Sequence, residues 1–185
     1  MLFVLCLTAF QANAQRYFPG QQGLQITGSV VDGYFFSENK ETAYSFDLAL
    51  SNYTKSRGRY LLGAGYLEKQ YPYKDITIPT AQFTLEGGHY QMFLSTPGKI
   101  VFFSLGASVI AGYETTNWGK KKLFDGSTIE NEDAFIYGGS VGFEMETFIT
   151  DKIVLLTFVK ERILFGSDIG KFHTQIGCGI KFLLN

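Results

Sequence analysis

The sequence predicts an all-β protein, a closed up-and-down antiparallel β-barrel of about eight strands and of the outer-membrane type. Three observations predict it. Two-faced apolar segments follow one another after an apolar leader, and the connections between them alternate short and long. Aromatics make up 16% of the residues, beside 21 glycines. Rings belong at the interfaces of a membrane barrel, and glycines fit a narrow lumen.

Residues 1–10 are uncharged and almost wholly apolar, and Ala12-Asn13-Ala14 supplies an A-x-A cleavage site. The stretch is too short to span a bilayer, so residues 1–14 are expected to be a cleaved signal peptide. Residues 15–185 are then one barrel domain. No Lys or Arg precedes the apolar run, which places the expected natural start upstream of Met1. The alternative is a buried N-terminal strand. A net charge of −1 favours neither nucleic acid nor an anionic surface. Beyond the leader Cys178 is the single cysteine, so no intrachain disulfide is expected. No later segment approaches the length of a membrane helix.

The first strand, 22–32, has mixed periodicity. In the second, 43–52, Tyr44, Phe46, Leu48 and Leu50 alternate with Ser45, Asp47, Ala49 and Ser51. The third and fourth, 59–69 and 80–93, are mixed again. The fifth, 99–113, sets Val101, Phe103, Leu105, Ala107, Val109 and Ala111 against Ser104, Gly106 and Ser108. The sixth, 134–148, sets Phe135, Tyr137, Val141, Phe143 and Met145 against Gly138, Ser140, Gly142, Glu144 and Glu146. The seventh, 152–165, holds the longest apolar run, 153–159, and alternates least regularly. The eighth, 172–184, sets Phe172, Thr174, Ile176, Cys178, Ile180 and Phe182 against His173, Gln175, Gly177, Gly179 and Lys181. Period-two alternation puts one row of side chains on each face.

Connections 53–58, 94–98 and 149–151 are short, with turn residues such as Pro97-Gly98. Connections 33–42, 70–79 and 114–133 are longer, and 166–171 is intermediate. That is the rhythm of tight periplasmic turns and longer outer loops. A secreted ligand-binding barrel would point its apolar face inward. Here the opposite face is small and polar, which favours an apolar face turned to outer-membrane lipid and an outer-membrane location. The spacing Gly179-x-x-Phe182-x-Leu184 resembles a C-terminal barrel-insertion signal, with Asn185 in place of a terminal aromatic.

Chemistry is sparse. His89 and His173 lack ligand spacing, and no nucleophile motif is present. Glu144 and Glu146 share one face near the periplasmic end of the sixth strand. Paired carboxylates can do acid–base work; the alternative is that they neutralise Lys181. Lys160 and Arg162 are expected to pair with Asp47 or Glu86. Buried charges need partners, so a luminal ion network is preferred to catalysis. No catalytic residue, metal ligand or cofactor is assigned. The run Lys120-Lys121-Lys122 is flanked by Glu114, Asp125, Glu130, Glu132 and Asp133, which predicts a solvated loop and no direct nucleic-acid binding. Trp118, the single tryptophan, lies in this longest loop. It either contacts a partner or folds back onto the barrel rim as an interfacial anchor.

Several stretches together resemble the conjugative transposon TraO family over nearly the whole mature chain. They are Gln15-Arg16, Pro19-Gly20-Gln21, Gly23-Leu24, Ala111-Gly112-Tyr113-Glu114, Asn117-x-Gly119 and Leu123-x-Asp125-Gly126-Ser127-x-Ile129. Phe135-Ile136-Tyr137-Gly138-Gly139, Asp151-Lys152, Val154-Leu155-Leu156 and Leu164-Phe165-Gly166-Ser167-Asp168 continue the likeness. The chain departs from it at Leu183-Leu184-Asn185 and in the absent basic leader. The resemblance implies a non-enzymatic conjugal-transfer component acting with other conjugal transfer proteins. Such a barrel is expected to anchor the machinery and not to conduct DNA, since wide channels need about 16 strands. Tyr113, Glu114, Asn117, Trp118 and Asp125 become the candidate partner-binding residues. Two alternatives remain: a small adhesion or surface-protection barrel, and a membrane-embedded hydrolase or acyltransferase.

Overall fold

Eight strands wind in sequence order through the computed structural model: β1 (Gln22–Val31), β2 (Thr42–Tyr53), β3 (Gly58–Tyr73), β4 (Ile76–Ser95), β5 (Val101–Thr116), β6 (Ala134–Phe148), β7 (Ile153–Phe165) and β8 (Phe172–Leu183). The structure describes residues 18–32, 42–74, 76–130 and 133–184; the expected leader and most of connection 33–42 lie outside them. Each strand pairs antiparallel with its neighbour, and β1 closes the barrel on β8, with Gly23 opposite Leu183 and Val31 opposite Gln175.

The side-chain rows follow strand parity. Leu62, Leu85, Val109, Val141 and Ile176 are exposed on the outside, while Ser45, Ser104, Ser140, Glu144 and Gln175 are buried in the lumen. That polarity is the reverse of a soluble barrel. Outward rings form two bands. Phe83 and Phe93 on β4, Phe103 and Tyr113 on β5, and Phe172 and Phe182 on β8 are each ten residues apart. On strands tilted by about 40°, that spacing puts the bands about 25 Å apart, the height of an outer-membrane apolar belt.

Two expectations are corrected. Segment 70–79 is not a loop: β3 and β4 run on as a two-stranded hairpin to Tyr73 opposite Ile76. Pro72 and Pro79 both lie in this stretch. Pairing with β2 ends at Gln70 and pairing with β5 begins at Thr80, so beyond these points neither strand pairs with a third among the described residues. A missing N–H is tolerated on such free edges. The second correction is that β5 extends through Thr116, so Glu114 is a strand residue and not the first of the loop.

The lumen is packed. At the short-turn end Tyr53, Phe102, Phe148, Val154, Leu156 and Leu183 form an apolar plug, with Met92 against it. Toward the long-loop end Ile110, Ile136 and Leu164 form a second apolar layer. Small residues make this possible. The Tyr90 ring occupies the space a Cβ on Gly106 would need.

Candidate functional site

Strand parity delivers charge to the lumen. Between the apolar layers these charged side chains are buried, so each needs a partner. In the lower tier Arg59 of β3 pairs with Glu144, and at 3.1 Å with Glu146. Lys181 pairs with Glu146 and lies 3.9 Å from Glu144. Two cations thus face two carboxylates and the formal charge cancels. The Tyr53 hydroxyl donates to Glu146 Oε1 at 2.7 Å and accepts from Lys181 Nζ at 3.1 Å. The Arg59 guanidinium lies 4.7 Å from the centroid of the Tyr90 ring, a cation–π contact.

In the middle tier Lys160 Nζ is 2.9 Å from Glu86 Oε2. Ser108 and Ser140 hydroxyls donate to Glu86 Oε1 at 2.6 and 3.2 Å. Arg162 donates to Thr84 Oγ1 at 3.2 Å. Asp47 accepts from Ser45 at 3.4 Å; it lies in the field of Lys160 and Arg162 without a direct ion pair. A cavity of about 30 Å³ separates the tiers, lined among others by Gln25, Asp47, Glu86, Tyr90, Glu144 and Lys160. It has room for about two water molecules.

Sequence reading missed Arg59. The available signal was parity, since Arg59 shares the inward row with Gly63 and Gly65, but the adjacent Leu61-Leu62 blurs the alternation.

The candidate partner-binding residues divide. Glu114 is 0% exposed. Its carboxylate accepts from Gln82 Nε2 at 2.8 Å, Ser167 Oγ at 2.6 Å and the Asp168 backbone N–H at 2.8 Å. That places it on the luminal wall, pinning connection 166–171, and removes it from the loop surface. Tyr113 faces outward and donates to Asp133 at 3.1 Å. Asn117, Trp118 and Gly119 are consecutive left-handed residues, with φ of 51°, 53° and 75°. Asn117 Nδ2 donates to the Lys120 carbonyl at 2.7 Å, and the Lys120 N–H donates to the Asn117 carbonyl at 3.0 Å. This tight turn lays Trp118 against Phe83, with ring centroids 6.4 Å apart.

Farther out, Asp125 pairs with Lys74 at the tip of the β3–β4 hairpin, and Tyr73 donates to it at 3.2 Å. The Lys74 hydrogen bond, then the Ser127 backbone N–H, holds the Asp125 carboxyl well below the usual carboxylate range. Loop and hairpin therefore form one ridge.

Of the histidines, His89 lies outside beside Tyr60, with centroids 5.0 Å apart. His173 is buried, with Nδ1 3.0 Å from Asp32 and Nε2 3.1 Å from the Gly170 carbonyl.

A family model, conjugative transposon protein TraO, matches residues 18–184. No curated protein matches the chain. Among solved structures the chain is similar to Neisserial surface protein A, with TM-score 0.53 and 12% identity over 88% of this chain and 95% of that one. It is equally similar to Ail, the attachment invasion locus protein of Yersinia pestis, solved with the heparin analogue sucrose octasulfate. There the TM-score is 0.53 and the identity 11%, over 89% of this chain and all of that one. At such low identity the likeness shows the fold alone, an eight-stranded barrel of the outer-membrane type.

Proposed function

The chain belongs to the conjugative transposon protein TraO family, and on that premise we propose that it is a non-enzymatic outer-membrane component of a conjugative transfer apparatus. Its role is to anchor or stabilise the transfer machinery, and other conjugal transfer proteins are its partners. The observation that carries this reading is a barrel apolar outside and filled inside. The outward belt suits lipid, and a lumen closed by an apolar plug and ion pairs leaves no conduit for DNA. Glu144 and Glu146 are engaged by Arg59 and Lys181, which supports a structural role for them over acid–base chemistry.

The ridge formed by the long loop and the β3–β4 hairpin is the proposed contact surface. Asp125 fixes its tip, Tyr113, Asn117 and Trp118 fix its root, and exposed Phe124 lies between them. Deleting the gene should lower transfer frequency. Complementation with the wild type should restore it, with the tagged protein in the outer-membrane fraction. Complementation with Asp125→Ala should restore surface abundance but not full transfer. Unchanged transfer in the deletion strain would reject the proposal, and full transfer with Asp125→Ala would remove the ridge from it.

A further inference from the structure

We propose that the outer wall at the β2–β3 turn holds an anionic phospholipid of the periplasmic leaflet, its phosphate taken by Lys55 and Arg57 and an acyl chain by a groove beside them. This rests on the outer-membrane reading above. The groove, of about 240 Å³, is lined among others by Gln22, Leu50, Asn52, Tyr60 and Leu62. Strand register orders its wall. Leu50 stands opposite Leu62, and one step nearer the turn Asn52 stands between Gln22 and Tyr60. The wall therefore passes from apolar side chains to amides and then to the cations of the turn. A phospholipid passes from hydrocarbon to headgroup in the same direction.

The turn is held by its neighbours. The Thr54 N–H donates to the Gly58 carbonyl at 2.8 Å, Gln91 Nε2 to the Ser56 carbonyl at 2.8 Å, and the Met92 N–H to the Arg57 carbonyl at 3.1 Å. The last bond fixes depth. It puts Arg57 beside Met92, one residue before Phe93 of the aromatic band at the short-turn end. Lys55 and Arg57 thus stand at the membrane interface, where long cationic side chains reach headgroups. Arg57 has a φ of 61°, a left-handed position that glycine would take without strain.

Charge balance leaves both cations available. Residues 18–31, 48–67 and 87–113, which cover β1 and the short-turn ends of β2 to β5, contain no Asp or Glu. Glu144 and Glu146 lie in the lumen and face Arg59 and Lys181. Lys55 and Arg57 are exposed and form no ion pair with a described residue. A guanidinium fork beside an ammonium suits a phosphodiester. A soluble acidic protein would meet the cations but not the groove, which opens sideways from the barrel wall.

The test uses the full barrel in phosphatidylcholine nanodiscs containing phosphatidylglycerol. Phospholipid retained on release into mild detergent is counted on the folded barrel by native mass spectrometry. Phosphatidylglycerol should be retained in preference to phosphatidylcholine. Its retention should drop on the order of tenfold in the double variant Lys55→Gln, Arg57→Gln, given the attraction of each cation to an anionic lipid. Leu62→Trp, which fills the groove, should lower it with both cations intact. The double variant Lys99→Gln, Lys152→Gln removes as many cations from the same end and should retain it normally. Unchanged retention in the Lys55–Arg57 variant or in Leu62→Trp, or no preference between the two lipids, would overturn the proposal. So would displacement of the lipid by an equal concentration of glycerol 3-phosphate, which would mark a free-phosphate site. A dimer lost in the Lys55–Arg57 variant would overturn it too, by marking this wall as a contact between copies. Failure of the wild type to enter discs at all would instead overturn the membrane reading beneath it.

Discussion

Arg59 shows how one unmatched charge would act on this fold. It is 0% exposed and serves both Glu144 and Glu146. Replacing it with Met leaves two buried carboxylates to one cation, Lys181, and the Tyr53 hydroxyl. Removing one partner of a buried ion network costs about 3–5 kcal/mol. Arg59→Met should lower stability by that amount in urea unfolding from vesicles; a loss below about 1 kcal/mol would mean that luminal water compensates. The Lys74–Asp125 tie behaves differently because it faces solvent. Its hydrogen bond pulls the Asp125 carboxyl down and pushes the Lys74 ammonium up. The carboxylate's contribution is therefore full above the ordinary Asp value and lost only as pH falls through a lower one. The ammonium's is full below the ordinary Lys value and lost only as pH rises through a higher one. The ridge should stay tied from about pH 4 to pH 10. Protease cleavage at Lys120–Lys122 should then be flat across that window in the wild type and faster in Asp125→Asn. A step in the wild-type rate near neutrality would place control in another group.

At the scale of the strand, parity decides what a substitution costs. Val109 is 72% exposed at mid-strand on the outward face, whereas Ser104, five residues earlier, is 0% exposed and its hydroxyl has no hydrogen-bond partner among the described residues. Arg at the outward site should cost about 2–4 kcal/mol in a bilayer. Ser104→Ala, which breaks no hydrogen bond to a described residue, should cost much less. Refolding equilibria of Val109→Arg and Ser104→Ala in vesicles check this, and equal losses would mean that the faces are reversed. The β3–β4 hairpin carries the complementary lesson. Proline marks loops well where strands are paired on both sides, and poorly where a strand leaves the sheet and its outer edge is free.

For the whole molecule, closure and filling go together. Eight strands enclose an interior just wide enough for side chains, and here Tyr53, Phe102, Phe148, Leu156 and Leu183 seal its short-turn end. The reconstituted protein should migrate faster on gels when unheated and yet give no steady conductance across a planar bilayer. Stepwise currents would show that the plug opens and would revive a conduit role.

The sequence by itself determined the strand count, the outward apolar rows and the family. Each of these is local. Alternation is a two-residue property, turn chemistry is short-range, and the likeness is carried by contiguous stretches such as Phe135-Ile136-Tyr137-Gly138-Gly139. The cations and carboxylates of β6, β7 and β8 were readable as luminal for the same reason. Two of their pairings, Lys181 with Glu146 and Lys160 with Glu86, were among those expected; the part of Arg59 was not. Arg59 meets Glu144 across the barrel, 85 residues along the chain, and only closure brings the two rows face to face. The same holds at the rim. Glu114 looked like a loop residue until the register with β4 placed it opposite Gln82 and inside the wall. Trp118 could have pointed anywhere until a left-handed turn set it on Phe83. Which face a residue occupies is written along one strand, but which residue it meets is set by the shear and closure of all eight.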